Sequence, residues 1–261
     1  MEINLKNKTA WVFGSSGGIG RAVAIELSRA GANILLIARN KNNLKKVLNN
    51  LCVSFGQKHD FVSVDMSNTR DLVLALEKYK KTKNVDIVIN NSGGPKGGLA
   101  HLASPSDYSL AFQQHVLSAQ AVAQVAIPLM TKGGFGRIIN IISTSVKQPI
   151  NGLGVSNTVR GAMANWSKTL SSELGQHGIT VNNILPGATQ TDRLDELVKT
   201  KSEQSGRSIS EIRKEMETTI PCGRFAEAPE IAYMVVFLCS NYANYVNGIN
   251  IPIDGGRTKS L

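Results

Sequence analysis

Several things are missing from this chain, and each absence excludes a class of protein. No apolar run reaches the length of a membrane span, so no membrane partner is expected. The opening stretch MEINLKNKTAWVFG has no long apolar core and enters a strand almost at once, so no signal peptide is expected. Cysteine is scarce: Cys52, Cys222 and Cys239 stand far apart with no Cys-x-x-Cys, which reads as reduced thiols in a cytoplasmic protein. No metal site is expected. Acidic residues are outnumbered, with Asp and Glu at 19 against Lys and Arg at 29 and a net charge of +10. That surplus could serve nucleic acid. The lysines, however, are dispersed, with short groups only at 41–46 and 80–83 on outer helices or their ends, and no basic stretch is interleaved with aromatics. No nucleic-acid partner is expected. The charge reads as solvated surface, or as a field favouring phosphorylated cofactors or acidic substrates.

What is present is an alternation of strand and helix. TAWVF (9–13), NILLIA (33–38), FVSVD (61–65), DIVIN (86–90), RIINII (137–142), ITVNNIL (179–185) and INIPID (249–254) are short apolar runs. Between them lie helical stretches at 21–32, 43–56, 69–81, about 107–130, 154–170 and 230–240. Strands apolar on both faces belong to parallel sheets covered by helices. Seven of them predict an α/β Rossmann fold, a doubly wound seven-stranded parallel sheet, as one domain over 1–261. The polar segment at 189–219 reads as a helical lid over the carboxyl ends of the strands, where such folds bind ligands.

After the first strand comes Gly14-Ser15-Ser16-Gly17-Gly18-Ile19-Gly20, opening the first helix. Glycines there permit a tight turn and close backbone approach to a pyrophosphate, which the helix N-terminus attracts. The spacing differs from Gly-x-Gly-x-x-Gly, and no Gly-Lys-Ser/Thr follows, so it is no P-loop. The second strand ends Ala38-Arg39-Asn40. An acid at this end favours NAD(H), whereas an arginine suits the 2′-phosphate of NADP(H), so NADP(H) is preferred. A solvated arginine at a helix start is the alternative.

These residues resemble the short-chain dehydrogenase/reductase family, and within it the 3-oxoacyl-carrier-protein reductase-like members, from about Leu5 to Arg257. GSSGGIG, including Gly14, Ser15, Ser16, Gly18 and Ile19, resembles the family's cofactor loop, with Phe13 where a threonine usually precedes it. Asp65, followed by Met66, resembles the aspartate contacting the adenine ring. Asn90-Asn91-Ser92-Gly93 resembles Asn-Asn-Ala-Gly. Pro186-Gly187 with Thr191 resembles the stretch beside the nicotinamide carboxamide, and Ile253-Asp254-Gly255-Gly256 the closing strand.

The resemblance implies hydride transfer between a nicotinamide and a carbonyl or alcohol. In the family a tyrosine is the acid or base, a lysine one helical turn later lowers its pKa and holds the nicotinamide ribose, a serine binds the substrate oxygen, and an asparagine supports a proton relay. Ser143 matches the serine, thirteen residues before the tyrosine position. The other three depart: Ser156 replaces the tyrosine, Arg160 the lysine and His115 the asparagine. The Ser-Val-Lys-Gln-Pro and Ser-Asn-x-x-Arg stretches resemble a branch of the family sharing these departures.

The departures change the chemistry. A serine hydroxyl is a far poorer acid than a tyrosine and needs its own base. Arg160 can keep the positive charge and the ribose hydrogen bonds but cannot carry a proton. Two residues could supply one. If the chain stays extended past the fifth strand, residues 143, 145 and 147 face one way, and Lys147 reaches the site. His115 titrates near neutrality when unperturbed. A solvated lysine and a packed histidine are the alternatives. Lys96 and His101 lie in a glycine-rich loop that the family places near the substrate, and both can equally be solvated.

The expectation is therefore an NADP(H)-dependent oxidoreductase with a non-standard proton donor, acting on a small molecule or an acyl thioester such as a 3-oxoacyl thioester. The alternative is a nucleotide-binding sensor or partner subunit without catalysis, and a third reading is a lyase or epimerase using the cofactor transiently. The resemblance further implies a homotetramer or homodimer built on the long helices at 107–130 and 156–175. Gly161, Ala162 and Ala164 there would allow close approach.

Overall fold

A computed structural model describes residues 2–80 and 84–260. Lys81, Thr82 and Lys83, most of the second basic group, lie outside the described residues, as does the end of the predicted 69–81 helix. The strands are β1 (Thr9–Phe13), β2 (Asn33–Ala38), β3 (Asp60–Ser63), β4 (Ile87–Asn90), β5 (Gly136–Ile141), β6 (Ile179–Pro186) and β7 (Asn250–Ile253). They form one sheet in the order β3-β2-β1-β4-β5-β6-β7, and every pairing is parallel.

The helices are α1 (Gly18–Arg29), α2 (Lys41–Leu48), α3 (Thr69–Lys80), α4 (Pro105–Phe112), α5 (Ser118–Gly133), α6 (Gly154–Leu174), α7 (Asp192–Ser205), α8 (Ile209–Thr218) and α9 (Ala228–Cys239). They cover both faces of the sheet because the strands alternate their apolar side chains. Val12, Leu36, Ile89 and Ile184 face α1 and α9, whose Leu27, Ile231 and Val235 meet them. Trp11, Leu35, Val88 and Val181 face α3 and α5, whose Leu72, Leu76, Val122 and Val125 meet them. Fully burying a side chain of this size stabilises by about 1.5–3 kcal/mol.

The order of strands reverses between β1 and β4, so their carboxyl ends open a crevice. Three departures from the sequence expectation bear on what surrounds it. The predicted 43–56 helix ends at Leu48, where Asn50 turns its amide onto the Lys46 carbonyl and the chain beyond folds back on Ser28. The long 107–130 helix begins at Pro105, behind a Ser104–Asp107 capping box, and is interrupted by a π turn over Gln113–Leu117. Past β5 the chain does not stay extended. Ser143 Oγ accepts from Ser145 N at 3.1 Å, and Thr144–Val146 wind into a 3-10 turn. Residues 143, 145 and 147 therefore do not share a face.

Candidate active site

The first wall of the crevice is the turn between β1 and α1. Gly14 has φ +59°, and a Cβ there would stand 2.5 Å from the Asn91 carbonyl oxygen. A Cβ on Gly20 would stand 2.3 Å from the Gly14 carbonyl oxygen. Only glycine allows this crossing of helix and strand. Gly17 caps α1 without any side-chain hydrogen bond, and the first turn holds no acid. The free N–H groups and the positive end of the helix dipole are thus left for an external anion. Asn91 Nδ2 reaches the Phe13 and Gly14 carbonyls, both at 3.4 Å, and pins β4 to this turn. Ser15 is turned elsewhere than the sequence expectation placed it. Its hydroxyl is fully buried and accepts from Ile37 N at 2.9 Å, so it ties the turn to β2. Ser16 and Ile19 are half-buried in the same turn.

Arg39, at the end of β2, is exposed, with Nη1 3.9 Å from Asp65 Oδ2. Asp65 Oδ1 accepts from Ser67 Oγ at 2.7 Å and Ser67 N at 2.9 Å. Those bonds, with Arg39 beyond them, hold its carboxyl below the usual range, and it stays ionised. Met66 is half-buried beside it and packs on the cluster of Trp11, Leu35 and Val88.

On the far side, Pro186 ends β6 and Gly187 N donates to Ile253 O at 2.9 Å. Thr191 precedes α7, its methyl group 3.2 Å from where a Cβ on Gly18 would stand. The start of the 189–219 segment thus touches the glycine turn. α7 and α8 pack on each other through Leu194, Val198, Ile212 and Phe225. Arg213 bonds Gln190 and, at 2.8 Å, Asp195. Arg193 Nη2 donates to Pro95 O at 3.0 Å and joins the segment to the loop after β4.

The centre of the crevice holds the three substituted positions. Ser156 lies half-buried in the first turn of α6, and Arg160 follows one turn later on the same face. Arg160 is buried, 7% exposed. Its Nη1 donates to Ile141 O at 2.9 Å, its Nε is buried without a partner, and its Nη2 lies 3.9 Å from where a Cβ on Gly94 would stand. Among the described residues no carboxylate pairs with it. Burial alone pulls its guanidinium down to about 10.

His115 sits in the π turn, 4% exposed. Its Nδ1 meets Ser92 Oγ at 2.6 Å, and its Nε2 has no partner. Burial, with Arg160 beside it, pushes the imidazole down to about 3, against a weaker upward pull from the Gly93 backbone. The ring is neutral at neutral pH, which corrects the expectation of a histidine acid titrating near 6.5. The same weak basicity leaves it a poor partner for a nucleophilic Ser92.

Lys147 lies half-buried after the 3-10 turn, and Ser260 Oγ donates to its carbonyl at 3.3 Å. The glycine-rich loop after β4 approaches another segment of the chain. Gly98 N donates to Gly152 O at 2.7 Å, Gly154 N to Gly98 O at 2.9 Å, and a Cβ on Gly154 would stand 2.4 Å from Ala100 Cα. Lys96 and His101 in that loop are exposed.

Sequence reasoning passed over three residues. Asn157 bonds both backbone groups of Ile150, at 3.3 and 2.9 Å, and so shapes the entry to α6. Gln114 reaches over Gly93, with Nε2 3.8 Å from a Cβ placed there. Arg193 forms the bond to Pro95. Asn157 and Gln114 carried a signal in their places next to Ser156 and His115, and Arg193 carried none.

Known proteins resemble the chain over nearly its whole length. A family model described as Enoyl-(Acyl carrier protein) reductase matches residues 14–258. The NADPH-dependent reductase BacG of Bacillus subtilis is 30% identical over 98% of this chain and 100% of its own. The 3-oxoacyl-[acyl-carrier-protein] reductase FabG of Aquifex aeolicus is 30% identical over 98% of this chain and 99% of its own. Among solved structures, L-sorbose reductase from Gluconobacter frateurii, complexed with NADPH and L-sorbose, superposes with a TM-score of 0.94 at 30% identity, covering 100% of both chains.

Proposed function

The chain belongs to the short-chain dehydrogenase/reductase family, and from that premise we propose an NADP(H)-dependent oxidoreductase that transfers a hydride between the nicotinamide and a carbonyl or alcohol substrate. The observation that carries this is the α1 N-terminus, uncapped and acid-free behind a turn that only glycine can form. Those residues fit a dinucleotide. The Gly14–Gly20 turn takes the pyrophosphate, with Gly18 and Ile19 at its edge. Arg39 takes the 2′-phosphate with paired hydrogen bonds, and Asp65 and Met66 border the adenine. Asn91, Ser92 and Gly93 line the middle of the crevice, and Pro186, Gly187 and Thr191 border the carboxamide. Arg160 holds the nicotinamide ribose through its open Nη2. This reading treats residues 1–261 as one domain, with 189–219 closing over the substrate.

Bound NADPH supplies the hydride. Ser143 and Ser156 orient the substrate oxygen. Its proton comes from Lys147, or from water relayed through Ser156. Neutral His115 acts by position, holding Ser92 beside the site. A 3-oxoacyl thioester is one substrate of the required chemistry. Copies of the chain associate as a homotetramer or homodimer through the α4–α5 and α6 faces, where Leu110, Phe112 and Leu117 stand exposed.

The test is loss of NADPH absorbance with a panel of carbonyl substrates. Turnover that Lys147→Met abolishes while cofactor affinity stays near wild type supports the donor, and an unchanged rate removes that role. A second reading rests on His115 and Ser156, neither of which is an acid at neutral pH: a nucleotide-binding subunit without turnover. It predicts tight NADPH binding, no turnover across the panel, and no effect of Ser143→Ala.

A further inference from the structure

Among the described residues, no carboxylate stands against the charge of Arg160. The guanidinium is buried, and among the described residues its one hydrogen bond goes to a neutral carbonyl, Ile141 O. Its Nε has no partner, and neither does His115 Nε2 next to it. Two unsatisfied polar groups and an uncompensated cation thus meet beside Ser156, in the same crevice. A buried polar group without a partner is rare, and a buried charge without one rarer still. The nicotinamide ribose assigned to this place can accept a hydrogen bond from Nη2, but its hydroxyls carry no charge. Acids near the start of α7 are held by other cations. Asp195 is taken by Arg213 at 2.8 Å, and Glu196 lies 3.6 Å from Arg193. The other side chains brought to the rim are Arg193, whose guanidinium reaches Pro95, and half-buried Lys147.

Resting on the oxidoreductase reading above, we propose that the substrate is a short oxo acid whose carboxylate sits beside Arg160 while its carbonyl oxygen faces Ser143 and Ser156. The spacing fits a compact molecule. Ser156 and Arg160 lie one helical turn apart on the same face of α6, so one small molecule can face both. In the reaction the carbonyl carbon gains the hydride and the oxygen gains the proton. The products are a hydroxy acid and NADP+. An anion here converts the unpaired cation into a buried ion pair, which a neutral ketone or a thioester cannot do.

The experiment compares 2-oxo and 3-oxo acids with their neutral amides, and with an acetoacetyl thioester, at saturating NADPH. The acids are expected to have kcat/KM about a hundredfold above the amides, the scale of a buried charge pair made or lost. Arg160→Gln should reduce that preference to less than about tenfold, and Arg160→Lys, which keeps the charge, should retain most of it. Equal rates for acids and amides, a thioester turned over better than the acids, or an undiminished preference in Arg160→Gln would each overturn the proposal. A binding arm separates it from the oxidoreductase reading. Oxamate, an anion, and oxamide, its neutral counterpart, are added to protein loaded with NADP+ and the melting temperature is read. Stabilisation by oxamate alone upholds the anion site even where no carbonyl is turned over, and a failure of oxamate to stabilise more than oxamide sinks it.

Discussion

Ser92 Oγ and His115 Nδ1 stand 2.6 Å apart and join the end of β4 to the π turn that follows α4. The bond fixes a buried ring whose pKa has fallen from 6.5 to about 3. Folding therefore requires this histidine to be neutral. The unfolded chain binds a proton on it below pH 6.5 and the folded chain does not until about pH 3. Stability from this group is full above the unfolded pKa and is lost as pH falls through that window, by about 1 kcal/mol per pH unit. Urea titrations from pH 6.5 to 4 should show the wild type losing stability faster than His115→Asn by that slope, and parallel curves would contradict it.

Arg160→Met should separate stability from function. Removing an uncompensated buried charge is expected to stabilise the ligand-free protein, by about 1–4 kcal/mol if it follows replaced buried ion pairs. The same change removes the hydrogen bond assigned to the ribose and should weaken NADPH binding by about tenfold to a hundredfold. Denaturant midpoints without cofactor and fluorescence titration with NADPH check the two halves.

Arg39 is exposed at the end of β2, and among the described residues its one charged partner is Asp65 at 3.9 Å. Arg39→Ser should lower kcat/KM for NADPH by about tenfold to a hundredfold and leave NADH nearly unaffected, because only the 2′-phosphate contact is lost. Equal losses with both cofactors would remove the role.

Gly20→Ala places a Cβ 2.3 Å from the Gly14 carbonyl oxygen, a backbone atom that cannot move aside alone. Overpacking of this kind costs about 1–3 kcal/mol. It should also displace the turn enough that NADPH no longer protects the protein against thermal unfolding.

Arg193→Ala removes the 3.0 Å bond between α7 and Pro95. If the 189–219 segment closes over the substrate, KM should rise with little change in NADPH affinity, and limited proteolysis should cut within 192–218 sooner. Unchanged KM and unchanged cleavage would show the bond to be incidental.

The sheet was legible because its central strands carry continuous apolar runs. β1 and β2 fall at their predicted bounds, Thr9–Phe13 and Asn33–Ala38. The edge strand β3 is half-exposed and shorter than expected, since one of its sides has no neighbour to extend it. The glycine turn was legible from Gly14 to Gly20, but not the inward rotation of Ser15, which depends on β2 arriving beside it. The condition that would bring Lys147 onto the face of Ser143 is not met, because Ser143 Oγ bends the chain by a local bond that periodicity does not register. The burial of Arg160 and the neutrality of His115 come from neighbours distant in sequence, and no motif encodes them.

The π turn at Gln113–Leu117 shifts the phase of the helical path that runs through it. A wider turn holds an additional residue, so the helix emerges from it out of phase with the part that entered. α4 and α5 run in one continuous path, yet their contact stripes no longer align: α4 lies against α6, while α5 packs mainly on α3 and reaches α6 at its start through Gln120 and Trp166. A regular helix over the same span would address one neighbour throughout. Deleting one residue within 113–117 would bring the stripes back into line, at the cost of rotating either His115 or the α5 core away from its partner.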